Sequence, residues 1–377
     1  MMRLRNLIAG AAGAVGVGWV LRALWGLPSA LGASISAIAP SAVGAVSYRD
    51  RRFHNTEPAT PITPTSGASL LYTAFTRRHA GHPSRPVPLA VPQPPAAAAE
   101  LAVTWYGHAS AVVEVDGYRV LTDPVWSERV SPSRMVGPVR LHPVPAPLDQ
   151  LPQVDAVVIS HDHYDHLDSD TVRALTATQS APFVVPIGIG AHLRHWGVPQ
   201  ERIIELDWGG STAISAPDRE DLVITCTEAR HFSGRWLVRN TTLWASWVLA
   251  GPTRRVYFGG DTGYTKAFAA AGATHGPFDL TLLPIGAYDE RWSDIHMNPE
   301  EAVRAHADLC AGDPGYGLLV PIHWATFNLA FHGWSEPVER MVRAARAAGT
   351  GIAVPMPGER IDPVALPPAR SWWKDIE

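Results

Sequence analysis

The chain has 377 residues, 46% of them hydrophobic and 18% charged, with a formal net charge of −4. That length buries one large core or two small ones, and the slightly acidic balance argues against nucleic acid or any other polyanion as partner. The two cysteines, Cys226 and Cys310, exclude a disulfide framework and a cysteine-type zinc site, and both read as small buried hydrophobes.

At the amino end Arg3 and Arg5 precede an apolar, glycine-rich run from Leu7 to Leu21; Arg22 interrupts, and Ala23 to Val46 carries no charge. A basic start before an apolar stretch makes residues 1–47 an export signal or membrane-associating segment. Fifteen helical residues reach about 22 Å, short of the ~30 Å hydrocarbon core. Extension across Arg22 would place a guanidinium in the bilayer at about 2.5–3.5 kcal/mol, and Pro28 and Pro40 are expected to interrupt a single helix. An Ala/Gly helix packed on the main domain is the alternative. Residues 48–100 turn charged at Arg49–Arg52 and then rich in proline and alanine, which reads as an extended strap or linker. The main domain is expected over residues 101–365, with a tail at 366–377.

From Leu101 short strand-like runs alternate with helical ones. LAVTWYG, AVVEVDG and YRVLTDP form a meander with a hairpin turn at Asp116-Gly117. DAVVIS is a buried strand, and FVVP, RIIEL, LVITCTEA, TLWASWVLAG, RVYFGGD, LTLLPIG, GLLVPIHW and GIAVP follow as strands. SDTVRALTA reads as helical. So does NPEEAVRAHADL, where Asn298 caps, Pro299 takes the first helical position and Glu301 completes a capping box. EPVERMVRAARAAG is the last helix, ended by Gly349. Two batches of strands with intervening helices imply two packed sheets flanked by helices.

The stretch HDHYDHLD, His161 to Asp168, sets three imidazoles and a carboxylate within six residues, just after AVVIS. His161 and His163 leave an extended chain on one side, and a turn at Tyr164 brings Asp165 and His166 beside them. Imidazole and carboxylate suit zinc, and also iron or manganese. Three more residues end strand-like runs: His231 after LVITCTEAR, Asp261 after RVYFGG and His323 after GLLVPI. Ligands at strand ends converge on one rim of a sheet. Two metals about 3.5–4 Å apart need roughly seven protein ligands and a shared water. His161, His163, Asp165, His166, His231, Asp261 and His323 supply them, with Asp261 as the natural bridge.

The order HxHxDH, His, Asp, His resembles the metallo-β-lactamase superfamily. Further motifs resemble its branch of N-acylphosphatidylethanolamine-hydrolysing phospholipases D and their bacterial relatives. These are TWYGHAS, LTDPVWSERVSP, GPVR, ISHDHYDHLD, ELDWG, LWASWVLAGP, GGDTGY, GPFDLTLLPIGAY, HMNPEEAVRAH and IHWATFNLA, in order from Leu101 to Trp334. The resemblance implies an α/β fold, the four-layer αββα metallo-β-lactamase sandwich of two mixed sheets flanked by helices. It implies two Zn2+ ions, other divalent metals being possible. One would be held by His161, His163 and His231, the other by Asp165, His166 and His323, with Asp261 shared. His108 and Asp123 match positions that orient ligand imidazoles by hydrogen bonds. His296 matches a histidine near the scissile phosphate, although the branch carries a glutamine just before it and this chain has Ile295.

The implied chemistry is metal-assisted hydrolysis of a phosphodiester, with Asp165, Asp261 and His296 as catalytic residues and no serine or cysteine nucleophile. Asp165 would orient the attacking hydroxide and His296 would donate to the leaving group. A phospholipid such as N-acylphosphatidylethanolamine is the expected substrate, a membrane surface the expected partner, and a homodimer is implied. Trp126, Trp292, Trp324, Phe327, Phe331 and Trp334 around the motif loops could form an apolar entry surface. A soluble phosphodiester such as a cyclic nucleotide, or a lactone or amide, is the alternative substrate. A wide apolar groove would favour lipid, and a polar pocket with phosphate-binding arginines would favour the soluble substrate. A membrane-tethered metal-binding protein without turnover is the third reading.

Overall fold

In the computed structural model, which describes residues 18–20, 22–60, 77, 80–366 and 370–376, the described residues up to Ala42 fall into short helices. Gly18–Ala42 has the length and apolar composition to cross a membrane by those criteria alone. Its breaks fall at Gly26 (φ 83°) and Gly32 (φ 78°), not at the prolines. Helix α1 is Leu27–Leu31, with Pro28 in its first turn, and α2 is Ile35–Ala42, with Pro40 inside it. Proline is tolerated in a first turn because that N–H has no helical partner. Most of Leu7–Leu21 and the proline-rich residues 61–76 lie outside the described residues. Strands β1 (Tyr48–Arg49) and β2 (Arg52–Phe53) form a small hairpin. Among the described residues of 54–100 there is no helix or strand.

The main domain opens with β3 (Leu101–Gly107), β4 (Ser110–Val115) and β5 (Tyr118–Thr122), the antiparallel meander expected from the sequence. Its turn holds Asp116 at φ 45° and Gly117 at φ 83°, the paired left-handed residues that match strand twist. β6 (Ala156–Val158), β7 (Phe183–Pro186) and β8 (Ile203–Leu206) add in parallel. With a short final strand, Arg360–Ile361, they make a seven-stranded sheet in the order β15-β3-β4-β5-β6-β7-β8. The second sheet holds β9 (Ser211–Ala216), β10 (Arg219–Thr227), β11 (Ser246–Ala250), β12 (Arg255–Phe258), β13 (Leu280–Pro284) and β14 (Leu318–Ile322). Their order is β14-β13-β12-β11-β10-β9, antiparallel from β9 to β12 and parallel from β12 to β14.

Alternation along β5 shows how the layers form. Tyr118 and Val120 join the core shared by the two sheets, whereas Leu121 joins the outer cluster. Outside the first sheet, α3 (Ser169–Thr178) and α4 (Ile189–His195) supply Val172, Leu175, Ile189 and Leu193 to that outer cluster. On the second sheet, α5 (Ala267–His275), α6 (Pro299–Leu309) and α7 (Glu336–Ala348) bury Phe268, Val303, Leu309, Val338 and Met341. The architecture is the mixed α/β sandwich of two sheets with flanking helices.

Three local expectations change. GIAVP makes only an isolated bridge, Leu319 with Ile352. TLWASWVLAG is strand only from Ser246, its first half being loop. Helix α5, AFAAAGATH, carried no amphipathic signal because small and apolar residues occupy all its faces. The end of the chain is also more than a tail: Trp372, Trp373 and Ile376 sit in the main core. The large apolar area of two indoles is reason enough for that segment to pack.

Candidate metal centre

Strand direction builds the site. β5 and β6 are parallel, and β10, β12 and β14 share one direction, so their carboxyl ends meet along one seam between the sheets. His161, His163, Asp165 and His166 follow β6; His231 follows β10, Asp261 follows β12 and His323 follows β14. His108 lies in the β3–β4 turn, Asp123 directly after β5 and His296 before α6. Three of these residues hold left-handed backbone, His108 at φ 54°, Asp123 at 33° and His323 at 61°. Such strain persists only where the surroundings fix it, and it gathers at functional sites. Gly260, at φ 58°, allows the turn into Asp261 to pass against Ser160, where a Cβ would collide.

All seven predicted ligand residues are brought together. His161 Nε2 lies 2.8 Å from His163 Nδ1, and His231 Nε2 lies 3.3 Å from the same atom. Asp261 Oδ2 stands 3.2 Å from His166 Nε2, 3.0 Å from His323 Nε2 and 3.9 Å from His231 Nε2. Asp165 Oδ2 stands 3.3 Å from His323 Nε2 and 3.5 Å from His166 Nε2. Asp261 therefore lies between the two groups, as a bridging carboxylate must. Two nitrogens on one tetrahedral zinc, each ~2.0–2.1 Å from it, stand about 3.3 Å apart, so this spacing suits such an ion. His166 Nε2, His323 Nε2 and Asp261 Oδ1 are buried polar atoms without a hydrogen-bond partner. Buried groups of this kind are normally satisfied, and a divalent cation is what nitrogen and carboxylate lone pairs pointing at one another would accept.

The outward nitrogens of His161, His166 and His231 are engaged by other groups, whereas Nδ1 of His323 is buried without a partner. His166 Nδ1 meets Asp123 Oδ2 at 2.6 Å, and Asp123 also accepts from the Ser160 backbone N–H and hydroxyl, both at 2.6 Å. Ser160 Oγ in turn lies 2.9 Å from His161 Nδ1. His231 Nδ1 meets the Ile295 carbonyl at 2.9 Å. These partners hold the ring orientations and direct Nε2 inward. His108 differs from expectation: its Nε2 reaches Asp165 Oδ2 at 3.0 Å instead of a ligand imidazole. The backbone N–H of His108 donates to Thr326 Oγ1 at 2.7 Å, a contact the sequence did not announce.

Electrostatics agree with a cation-seeking site. Burial pushes the pKa of His231 down to about 3 and that of His163 to about 4, and holds His161 well below its usual value. These rings are neutral, as ligands must be. Burial opposes charge on His166 too, but Asp261, Asp165 and Asp123 overcome it and raise its pKa. Burial likewise opposes ionisation of Asp261 and Asp165, yet the surrounding imidazoles hold both well below the usual carboxylate range.

His296 Nδ1 lies 3.9 Å from Asp261 Oδ2 and is buried without a partner, beside the ligands. It opens on a cavity of about 640 Å3 lined by Arg77, Tyr288, Arg291, His296, Phe331 and Arg340 among others. Arg291 is held by Asp289 at 2.6 Å and Arg340 by Glu300 at 2.6 Å, so those guanidiniums are charge-matched. The expected apolar entry surface is only partly formed. Trp324, Trp334 and Phe327 are buried; Trp324 stacks on Trp105 and packs with Trp372. Trp126 is fastened to the Ala146 carbonyl, leaving Phe331 and Trp292, 6.0 Å apart, beside the cavity.

Residues 118–324 match the beta-lactamase superfamily domain. The chain is 56% identical to an uncharacterised protein of Mycobacterium tuberculosis over 99% of each. It is 39% identical over 237 residues to N-acyl-phosphatidylethanolamine-hydrolyzing phospholipase D 1 of Caenorhabditis elegans, covering 61% of this chain and 65% of that one. Among solved structures, a metallo hydrolase from the hyperthermophilic archaeon Ignicoccus hospitalis is similar with a TM-score of 0.51. That match is 25% identical and covers 69% of this chain and 97% of the other.

Proposed function

The chain belongs to the beta-lactamase superfamily and is a metal-dependent hydrolase by fold and family; from that premise we propose that it is a binuclear phosphodiesterase of the phospholipase D type. Its substrate is N-acylphosphatidylethanolamine or a related phospholipid, and zinc is the metal the donor set suits best. The observation that carries the reading is the set of inward, unpartnered Nε2 and carboxylate atoms gathered from both sheets. The lipid is supported by the nematode relative, whose name states that it hydrolyses N-acylphosphatidylethanolamine.

His161, His163 and His231 would hold one ion, Asp165, His166 and His323 the other, and Asp261 would bridge. Bound metals supply Lewis acidity and lower the pKa of a shared water towards neutrality. Asp165, whose Oδ2 is held by His108 Nε2 at 3.0 Å, would be placed to orient an attacking water in line with the leaving oxygen. Burial pushes the His296 pKa down to about 3, so its neutral ring would offer an N–H hydrogen bond to the departing oxygen, and the proton released by the attacking water would complete the alcohol. The products are phosphatidic acid and an N-acylethanolamine. The amino-terminal apolar segment then associates the enzyme with the membrane that holds its substrate.

The polar lining of the cavity beside His296, including Arg77, favours a second reading with a soluble phosphodiester as substrate. Turnover of N-acylphosphatidylethanolamine in mixed micelles, with products identified by mass spectrometry, separates the two. Phosphatidic acid with N-acylethanolamine, lost on chelation, is the expected result. Hydrolysis of a soluble phosphodiester alone would overturn the lipid reading and leave the metal centre standing.

A further inference from the structure

Most of the large apolar side chains that the described residues leave exposed come from three segments: Trp19 to Val46, Val136 to Val139, and Trp236-Leu237. The segments are joined. Ser133 Oγ donates to the Ala23 carbonyl at 2.7 Å, and Arg235 Nη2 donates to the Ala30 carbonyl at 2.7 Å. Trp25 is 77% exposed, Trp236 59% and Leu237 84%. Exposed apolar side chains gathered in neighbouring, hydrogen-bonded segments mark an interaction surface.

The loop that carries Trp236 and Leu237 begins at the ligand His231. The Phe232 ring packs on His163 at 4.4 Å, and Arg239 lies over Phe232 at 4.9 Å. Arg239 is exposed and makes no ion pair among the described residues. Arg235, one residue before the tryptophan, is buried and spans the metal-ligand loop. Its Nη1 donates to the Asp162 carbonyl at 2.7 Å and the Leu167 carbonyl at 2.8 Å, while Nε and Nη2 grip Ala30 at the end of α1. Gly234 N–H donates to Asp162 Oδ1 at 2.7 Å, and Tyr164 Oη donates to the Arg235 carbonyl at 2.6 Å. The exposed tip is thus bolted on one side to the metal loop and on the other to the amino-terminal helix.

We propose that the loop Phe232–Asn240, together with the amino-terminal helices, is a docking surface for a phospholipid bilayer, with Trp236 and Leu237 entering the interface and Arg239 receiving a lipid phosphate. The inference rests on the lipid reading of the site. Three features commit it to a bilayer. Gly18–Ala42, tied to the loop by Arg235 at the Ala30 carbonyl, is apolar, and most of its described residues are exposed or half-buried. Tryptophan and leucine beside an exposed arginine form the amphipathic rim that interfaces select. Arg22 and Arg239 give the face cationic charge that complements phosphate. Seated there, the protein holds its metal loop against the headgroup layer.

The test is co-sedimentation of the full-length, zinc-loaded protein with vesicles of phosphatidylcholine and phosphatidylglycerol. The Trp236→Ser/Leu237→Ser double variant is expected to partition roughly tenfold or more weakly. It should keep its zinc and its hydrolysis of bis(p-nitrophenyl) phosphate in solution. Arg239→Glu should lose binding to anionic vesicles more than to neutral ones. Wild-type binding by the double variant would overturn the proposal. So would a wild-type dimer that becomes monomeric in the double variant with vesicle binding unchanged, since the face would then belong to a second copy. Vesicle binding through the loop without phospholipid turnover would support the docking surface and sink the lipid-substrate reading.

Discussion

At Asp123 one carboxylate serves three donors at once: His166 Nδ1 and both the backbone and the hydroxyl of Ser160. Asp123→Asn removes the charge and reverses one donor–acceptor pair, and metal affinity should fall about 10–100-fold, measured by competition with a chromogenic chelator. Asp261→Asn is expected to lower metal content and abolish hydrolysis of every substrate; normal zinc with full activity would sink the binuclear reading. His296→Ala should leave metal content intact and lower kcat about 10²–10⁴-fold on an alkyl phosphodiester, with a smaller loss on a p-nitrophenyl ester whose leaving group needs no donor. The candidate ligands were legible in the sequence because metal coordination demands particular side chains at strand ends. The groups that aim them were less so. His108 and Asp123 were reached only through resemblance, and the Ile295 carbonyl could not be reached at all, since any residue supplies a carbonyl. That also explains why an isoleucine is tolerated there: its backbone does the orienting while its side chain is buried.

Among the elements, α6 shows how a helix end positions a functional residue. Asn298 Oδ1 accepts from the Glu301 N–H at 2.9 Å, and Glu301 Oε2 accepts from the Asn298 N–H at 3.0 Å. Asn298→Ala should cost about 1 kcal/mol of stability, and because His296 lies two residues ahead of the cap, kcat should fall with metal content unchanged. This cap was readable from the sequence, as were the Asp116-Gly117 turn and the Gly349 stop. Strand β9 was not, because Thr212 and Ile214 are its only strand formers and the remaining Ser and Ala residues of this short edge carry little β signal. Inside α6, His306 lies next to Thr281 Oγ1 at 2.8 Å, and burial pushes its pKa down to about 4 from 6.5. Between those values the unfolded chain binds a proton that the folded chain refuses, so stability falls with falling pH by about 1.4 kcal/mol per unit. His306→Gln should flatten the slope of unfolding free energy against pH in that window.

For the molecule as a whole, the two sheets contribute to the candidate metal centre separately. His161, His163, Asp165 and His166 follow a strand of the seven-stranded sheet; His231, Asp261 and His323 follow strands of the six-stranded one. Metal bound across that seam stabilises only the folded arrangement, by about 4 kcal/mol at a free concentration 1,000 times Kd. Calorimetry should therefore show a Tm that rises with added zinc and drops on chelation; a Tm indifferent to both would count against the seam site. Segregation of the strands into two batches was visible in the sequence. The face each batch turns to the other depends on contacts such as Trp247 Nε1 to the Ile159 carbonyl, 3.0 Å across the seam, which no local pattern encodes. The arrangement also sets an order of events during synthesis. The first four candidate ligands leave the ribosome well before His323, and Asp261 falls between. A two-metal centre built from these residues would close only after translation has passed His323 and the second sheet has folded onto the first. On that reading metallation would be a late step in the maturation of this chain, following the meeting of its two sheets.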